Sequence, residues 1–264
     1  MNSWEIFEKE CTEFLIEQFG DYATFTHEGK SDSTVPDIKV VTKKNIQFYI
    51  EAKHSPAQCG QFVLLPNIEK KVFDYSKLNS TPLNDYSKII IDNMNSNFEE
   101  FKEAGTAGKS IEFKDCEKIF YNWIIKTYKD KGVKFFITNN NVILSIDEFP
   151  YYFSVSAKYR TKRSGSSSVG SGNIEKVKQY VQSLFPNVEL KTTFDKIFIY
   201  SNENLHNKRF ILGKNEYMIS MRDNYYEIRK LSNTFNANVI FSIELKSNDS
   251  GISIADFIFI LTND

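Results

Sequence analysis

Two strand-like segments joined by a short polar connection constrain the fold of this chain more than any other feature. Residues 37–41 and 46–53 are rich in Val, Ile, Phe and Tyr, which favour strands, and the polar run Thr42-Lys43-Lys44-Asn45 lies between them. Strands this close in sequence pair most readily as an antiparallel hairpin. The sequence therefore predicts a hairpin over residues 37–53.

The register of this hairpin follows from its loop. A three-residue loop would pair Thr42 with Ile46, and counting outward in an antiparallel ladder places Asp37 opposite Glu51. Because side chains alternate along a strand, Glu51 and Lys53 share one face. Directly opposed residues have Cβ atoms about 4.5–5.5 Å apart. We therefore expect two carboxylates and an ammonium group to meet at one place.

Two carboxylates at that distance favour a metal ion. They repel unless one is protonated or a cation lies between them, and hard oxygen ligands of this kind suit Mg²⁺. The ion would polarise a phosphate oxygen and acidify water, while Lys53 would orient the water or neutralise charge on the phosphate. Asp37 and Glu51 are thus predicted Mg²⁺ ligands for phosphodiester hydrolysis.

Periodicity elsewhere predicts a mixed α/β (α+β) protein. Apolar residues recur at helical spacing from Ser3 to Phe19, residues 61–131 are interpreted as mainly helical, and another helix is expected near 174–185. Strands are predicted at 133–138, 142–146, 151–157, 196–200, 209–212, 217–221, 239–245 and 257–261. We divide the chain into residues 1–150, a core with a helical insertion, and residues 151–264, a strand-rich region, with one continuous domain as the alternative.

Composition narrows the class of protein. The net charge of −1 provides no general basic coat, so any positive potential for nucleic acid must be local. Three scattered cysteines and three scattered histidines form neither a disulfide framework nor a zinc site, and we expect buried thiols. No apolar run approaches the roughly 20 residues of a membrane span, and no signal sequence is recognisable, which places the protein in the cytoplasm.

The hairpin residues resemble a known superfamily. Pro36-Asp37 and Glu51-Ala52-Lys53 match the two signature blocks of the PD-(D/E)xK nucleases, which include most type II restriction endonucleases. The resemblance covers residues 1–65. It implies a restriction-endonuclease-like core, with a central mixed sheet flanked by helices and a strand-rich C-terminal elaboration, and Mg²⁺-dependent cleavage of DNA.

The same resemblance implies further site residues. Many members carry an additional acidic residue on the helix before the hairpin, where Glu10 fits by position and Glu13 is a second choice. A glutamine on a helix after the lysine is also common, and both Gln58 and Gln61 qualify.

The Glu-x-Lys pattern alone is weak because this chain contains it several times. Glu244-Leu245-Lys246 also ends a strand-like run, but Asn236 and Asn238 stand where an aspartate is needed. The alternative interpretation of the first copy is an ordinary solvated strand face.

Two basic clusters are candidates for DNA binding. The first lies before a serine- and glycine-rich segment, 164–172, that is interpreted as a flexible loop able to fold around phosphates. Its members are Lys158, Arg160, Lys162 and Arg163. The second offers side chains that read base edges, with ordinary charged surface as the alternative. Its members are Arg222, Arg229, Lys230 and Asn233.

These features predict site-specific cleavage of double-stranded DNA, as in a type II restriction endonuclease. Cutting both strands of a palindrome requires two active sites related by a dyad, so we expect a homodimer. The alternatives are a structure-selective nuclease of recombination or repair, a catalytically inactive DNA-binding protein of the same fold, and a ribonuclease.

Overall fold

The computed structural model describes residues 3–29, 35–105, 109–163, 165–232, 235–246 and 251–263, with the backbone alone for residues 162, 163 and 235. Contacts divide the chain into two compact units, Met1–Arg160 together with Ala237–Asp264, and Thr161–Asn236. These limits differ from the sequence-based division at residue 150, because the last strand and helix belong with the first unit.

The first unit begins with a long run of alternating elements. In chain order they are α1 (Ser3–Phe19), β1 (Ala23–His27), β2 (Ile38–Thr42), β3 (Gln47–Lys53), β4 (Ala57–Asn67), β5 (Val72–Tyr75), α2 (Asp85–Ser96), α3 (Phe98–Phe101), β6 (Ile111–Glu112), α4 (Glu117–Asp130), β7 (Val133–Thr138), β8 (Val142–Ser145), α5 (Phe149–Tyr152) and β9 (Phe153–Arg163).

The remaining elements build the second unit and then complete the first. The second unit contains β10 (Ser166–Ser167), α6 (Ile174–Leu184), β11 (Glu189–Thr192), β12 (Ile197–Tyr200), β13 (Arg209–Leu212), β14 (Asn215–Met221) and β15 (Tyr226–Leu231). The chain then continues through β16 (Phe235–Leu245) and α7 (Ile254–Asn263).

The first sheet has the strand order β1-β2-β3-β7-β8. Its neighbours are antiparallel except β3 and β7, which are parallel and joined by a crossover that contains α2 and α4. One face packs on α1 and α7 and the other on a larger aromatic core. The predicted mixed sheet flanked by helices is thus confirmed.

One predicted strand of the first unit is a helix. Residues 257–261 were expected to be extended, yet they lie in α7. Ser253 caps the start of this helix, because its Oγ accepts the Asp256 N–H (3.1 Å) and its hydroxyl donates to Asp256 Oδ2 (2.6 Å). Phe257 and Leu261, four residues apart, are the buried pair that this helix contributes to the core.

The second sheet corrects another prediction. Its order is β5-β4-β16-β9-β6, so β4 and β5 form an antiparallel hairpin in a region that was interpreted as mainly helical. The helical interpretation holds for α2 and α4, which pack on this sheet. In the core, the Trp123 ring stacks on Phe241 with centroids 4.2 Å apart, and its N–H donates to Ser87 Oγ at 2.9 Å.

The second unit is a six-stranded antiparallel sheet with one helix. The order is β11-β12-β15-β14-β13, and β10 pairs with β15. Buried residues of α6, such as Val177 and Val181, pack on the sheet. The segment expected to be a flexible serine and glycine loop therefore includes a short strand, Ser166–Ser167.

No helix in the described ranges is long and apolar enough to cross a membrane. The cysteines are unpaired thiols; Cys11 and Cys59 are buried, as expected, and Cys116 is partly exposed.

Candidate active site

The predicted hairpin and its register are both present. The β2–β3 ladder pairs Ile38 with Ile50, so the next step outward sets Asp37 opposite Glu51. The Thr42 N–H donates to the Ile46 carbonyl at 3.0 Å, which closes the loop as expected. The alternation of β3 buries Phe48, Ile50 and Ala52 in the core against α1 and α7. The opposite face of β3 therefore carries Glu51 and Lys53.

The three predicted catalytic side chains meet at the end of this hairpin. Lys53 Nζ lies 2.6 Å from Glu51 Oε1 and 3.8 Å from Asp37 Oδ2. Asp37 Oδ2 also accepts the Ala52 backbone N–H at 2.9 Å, which fixes the carboxylate across the hairpin. Asp37 and Glu51 are only 8% and 6% exposed, which argues against an ordinary solvated strand face.

Burial and the neighbouring charges shift the pKa values of Asp37 and Lys53. Burial and repulsion by Glu51 raise the pKa of Asp37 well above its usual value, although Lys53 opposes the shift. Burial alone would lower the pKa of Lys53, but Glu51 and Asp37 raise it above its ordinary range. The lysine is therefore a firmly held cation, and the raised pKa favours the protonated form of Asp37 unless a further cation lies beside it.

The acidic residue that α1 places beside Asp37 is Glu8, not Glu10. Glu10 and Glu13 are exposed on the outer face of the helix, and Glu13 lies 3.6 Å from Lys9. Glu8 is buried and lines the same cavity as Asp37. The helical spacing of 3.6 residues puts Glu8 on the buried side, with Cys11, Thr12 and Leu15.

Glu8 is held in place by the strand that follows α1. Its Oε2 lies 3.1 Å from His27 Nε2. Gly29 fits between the two acids, since a Cβ built there would lie 2.7 Å from Glu8 Oε2 and 3.1 Å from Asp37 Oδ1. The N–H of Gly29 donates to the Asp37 carbonyl at 2.9 Å. Sequence reasoning missed this cradle, because its only local signal is a glycine a few residues before the hairpin.

The two glutamines lie on a strand rather than on the predicted helix. Both belong to β4, where Gln61 pairs with Ile240 and Gln58 with Ser242, so three steps along β4 match two along β16. This is a bulge with one extra residue, and Gly60 occupies it with φ +92°. The bulge turns Gln58 and Gln61 to the same side, and Gln58 Nε2 donates to Gln61 Oε1 at 3.3 Å.

A cavity of about 530 Å³ connects these groups. Its lining comprises the acids and lysine, the glutamine pair, a turn after β5 and one face of α4. The members from the turn and helix are Leu78, Asn79, Ser80, Thr81, Trp123, Thr127, Tyr128 and Lys131. A larger cavity of about 1080 Å³ lies beside β7, β8 and α7, and its lining does not include Glu8, Asp37 or Glu51. The smaller cavity is the candidate active site because Glu8, Asp37, Glu51 and Lys53 all line it.

The first basic cluster lies on a strand. Lys158 and Arg160 belong to β9, where Lys158 pairs with Glu112 in β6, so this run is a strand rather than a flexible basic loop. The side chains of Lys162 and Arg163, and the whole of Asn233, lie outside the described residues.

The predicted recognition residues of the second unit are largely engaged with one carboxylate. Arg222 donates through Nε and Nη2 to Glu227 Oε2 (3.0 and 2.8 Å), and Arg229 Nη1 donates to Oε1 (2.8 Å). Arg229 also donates to the Ser166 carbonyl at 2.8 Å. Lys230 lines a small surface pocket beside Ser166. These contacts support the fold of the second unit, and the DNA-reading role remains a prediction.

Comparison with known proteins places the chain in a family. No family model and no curated protein matches the sequence. A match to a solved structure nevertheless shows that the chain belongs to the type II restriction endonuclease-like proteins. The structure that shows this is HhaI endonuclease in complex with DNA, which is 40% identical in sequence, with a TM-score of 0.78. The match covers 95% of this chain and 93% of that one, and it confirms the predicted family and fold class.

Proposed function

We propose that this protein is a Mg²⁺-dependent endonuclease that cleaves double-stranded DNA at a specific sequence. The observation that carries the proposal is the buried Asp37–Glu51–Lys53 group at the floor of an open cavity. The similarity to a DNA-bound restriction endonuclease along nearly the whole chain supports DNA as the substrate.

The donor set fits Mg²⁺. Glu8, Asp37 and Glu51 bring three carboxylates to the cavity against the single ammonium of Lys53, an excess that a divalent cation would balance. Asp37 and Glu51 offer hard oxygen ligands. Among the described residues no group of three or more His, Cys, Asp or Glu is placed to hold a metal alone, and Mg²⁺ normally keeps several waters beside one or two carboxylates. When bound, it would supply Lewis-acid chemistry, polarising a phosphate oxygen and acidifying water.

The residues of this chain have separate roles around the phosphate. Lys53, a cation held 2.6 Å from Glu51, orients a water molecule and stabilises negative charge that develops on the phosphate. Asp37 is pre-positioned by its bond to the Ala52 N–H, which limits reorganisation during reaction. Gln58 and Gln61 line the same cavity and provide amide donors that suit phosphate or base-edge acceptors.

Site selectivity separates this proposal from a structure-selective nuclease. The chain contains a second sheet and a second unit in addition to the sheet that carries Glu51 and Lys53, and the second unit includes the cations Arg222, Arg229 and Lys230. The first experiment incubates the purified protein with unmethylated phage DNA, with Mg²⁺ or with chelator. Discrete fragments only with Mg²⁺ are expected. A smear, or cleavage restricted to branched DNA, would contradict sequence-specific cutting.

The chain contains its own matched control for the catalytic assignment. Asp37→Ala and Lys53→Ala should abolish cleavage while DNA binding persists, because they remove groups that act on the phosphate. Glu244 and Lys246 repeat the Glu-x-Lys spacing at the end of β16 but do not line the cavity. Glu244→Ala and Lys246→Ala should therefore cleave normally. If the Glu244 and Lys246 variants lost as much activity as the Asp37 and Lys53 variants, a specific catalytic role for Asp37 and Lys53 would be excluded.

The proposal also includes a homodimer, which would cut both strands of a palindrome in one encounter. Supercoiled plasmid tests this directly. A dimer converts it to linear DNA without delay, whereas accumulation of nicked circles together with a monomeric mass would show that one copy cuts the strands in turn.

A further inference from the structure

A tight turn after β5 lies at the mouth of the catalytic cavity. It spans Ser76 to Asn79, and the Asn79 N–H donates to the Ser76 carbonyl at 3.2 Å. Leu78, at its tip, is 94% exposed, the most exposed large apolar side chain in the described part of the chain. Lys77 beside it is also exposed. An apolar side chain and a cation therefore stand together where substrate would enter.

This turn is fastened to β4. The Ser76 N–H and Asn79 Nδ2 both donate to the Val63 carbonyl, at 3.1 and 2.9 Å, and the Val63 N–H donates to Asn79 Oδ1 at 2.7 Å. The Leu78 N–H donates to Ser76 Oγ at 3.2 Å, and the Tyr75 hydroxyl donates to the Thr81 carbonyl at 2.7 Å. The Asn79 amide thus extends the strand pairing of β4.

These bonds prevent the Leu78 side chain from folding back onto the protein surface. A leucine on a floppy loop can fold back onto the surface, and single exposed apolar residues need no special explanation. Here the main chain on both sides of Leu78 is tied to one residue of the second sheet, so the side chain is held outward. A rigid apolar tip loses little conformational freedom when it enters a partner.

We propose that Leu78 is a wedge that inserts between base pairs of the DNA beside the scissile phosphate, with Lys77 contacting the flanking backbone. Apolar side chains, leucine among them, enter base steps in this way and kink the duplex, and burial of the side chain offsets part of the unstacking cost. Leu78 lines the same cavity as Asp37 and Glu51, so insertion would present the adjacent phosphate to these two acids. The inference rests on the proposed function.

The test uses DNA whose fluorescence reports unstacking. The target site is first mapped from the cleavage products of the wild-type protein, and duplexes are then made with 2-aminopurine at each position around it. Asp37→Ala serves as the non-cleaving background. We expect one position to brighten on binding. The rise should disappear in the added Leu78→Ala variant and persist in Leu78→Met, which keeps a long apolar side chain.

Cleavage rates in the otherwise unchanged protein give an independent readout. Leu78→Ala should lower kcat by on the order of tenfold, the effect of losing one buried leucine contact made during reaction, with an unchanged melting temperature because the side chain is exposed. Ile68, 62% exposed and outside the cavity, is the matched control, and Ile68→Ala should match the wild type in rate and fluorescence.

The outcomes separate the wedge from the function on which it rests. A wild-type protein that cuts no DNA would overturn the proposed function. A protein that cuts at its site, with no position brightening or with Leu78→Ala indistinguishable from wild type in both readouts, would overturn the wedge alone.

Discussion

Asn139 and Ser55 are joined by two hydrogen bonds just after β3, where the chain continues beyond Lys53. Asn139 Oδ1 accepts the Ser55 N–H at 2.8 Å, and Asn139 Nδ2 donates to the Ser55 carbonyl at 3.1 Å. The neighbouring Thr138 Oγ1 donates to the Lys53 carbonyl at 2.8 Å. The Leu245 N–H donates to Ser55 Oγ, also at 2.8 Å. This clamp ties the end of β3 to the end of β7 and to β16, the strand that pairs with the glutamine-bearing β4.

Breaking the clamp should displace Lys53, and so lower the cleavage rate, while the protein stays folded. Asn139→Ala removes both bonds to Ser55 and should cost about 1–3 kcal/mol of unfolding free energy, together with a lower kcat. Asn139→Asp keeps the acceptor and loses the amide donor, so it should fall between Ala and wild type. Urea denaturation and cleavage rates measure the two effects. Wild-type rates in both variants would show that the clamp does not position the lysine.

Gly60 should be irreplaceable because two constraints act on it. Its φ is +92°, and an added Cβ would lie 2.7 Å from Trp123 Cζ3. Gly60→Ala should therefore destabilise the protein by more than the ~1 kcal/mol expected from backbone strain alone, and should displace Gln58 and Gln61. Gly213, with φ +62° and open space around it, is the control. Equal melting temperatures for Gly60→Ala and Gly213→Ala would exclude the steric contribution.

Glu8 and Glu10 should respond differently to the same substitution. Glu8→Gln removes a negative charge that acts on Asp37, so the protein without metal should become more stable while the Mg²⁺ concentration for half-maximal cleavage rises roughly tenfold. Glu10→Gln, on the exposed face, should change neither quantity. A Mg²⁺ titration of cleavage together with thermal unfolding in chelator measures both. A Glu10 effect as large as that of Glu8 would restore the sequence-based assignment.

Glu227 should make the protein sensitive to acid. Burial would raise its pKa, but hydrogen bonds from Arg229 and Arg222 lower it below the ordinary value of 4.5. A carboxyl with a depressed folded-state pKa stabilises fully above its unfolded pKa and loses that contribution as pH falls through the folded value. Glu227→Gln should therefore cost about 1–3 kcal/mol at pH 7, and the deficit should shrink below pH 4.5. Urea midpoints at both pH values test this, and a deficit that is constant with pH would contradict it.

The central part of the site, the hairpin over residues 37–53, was predicted from local periodicity in the sequence. A two-residue alternation and a short polar connection specify which side chains of residues 37–53 share a face and which residue lies opposite which, because both depend only on near neighbours in the sequence. Asp37, Glu51 and Lys53 were for this reason predicted together. The helical spacing of α1 was equally local, and its bounds, Ser3–Phe19, agree with the sequence-based ones.

Tertiary packing decided the rest. The sequence determined that α1 carries acidic residues, but only its docking on the first sheet selects Glu8 over Glu10 for the cavity. Residues 57–67 form a strand because β16 pairs with them from far along the chain, and Trp123 packs so closely on the bulge that only glycine fits at position 60. Short apolar runs such as 257–261 suit a strand or a helix equally well, and the cap at Ser253 together with the buried face of the sheet selected the helix.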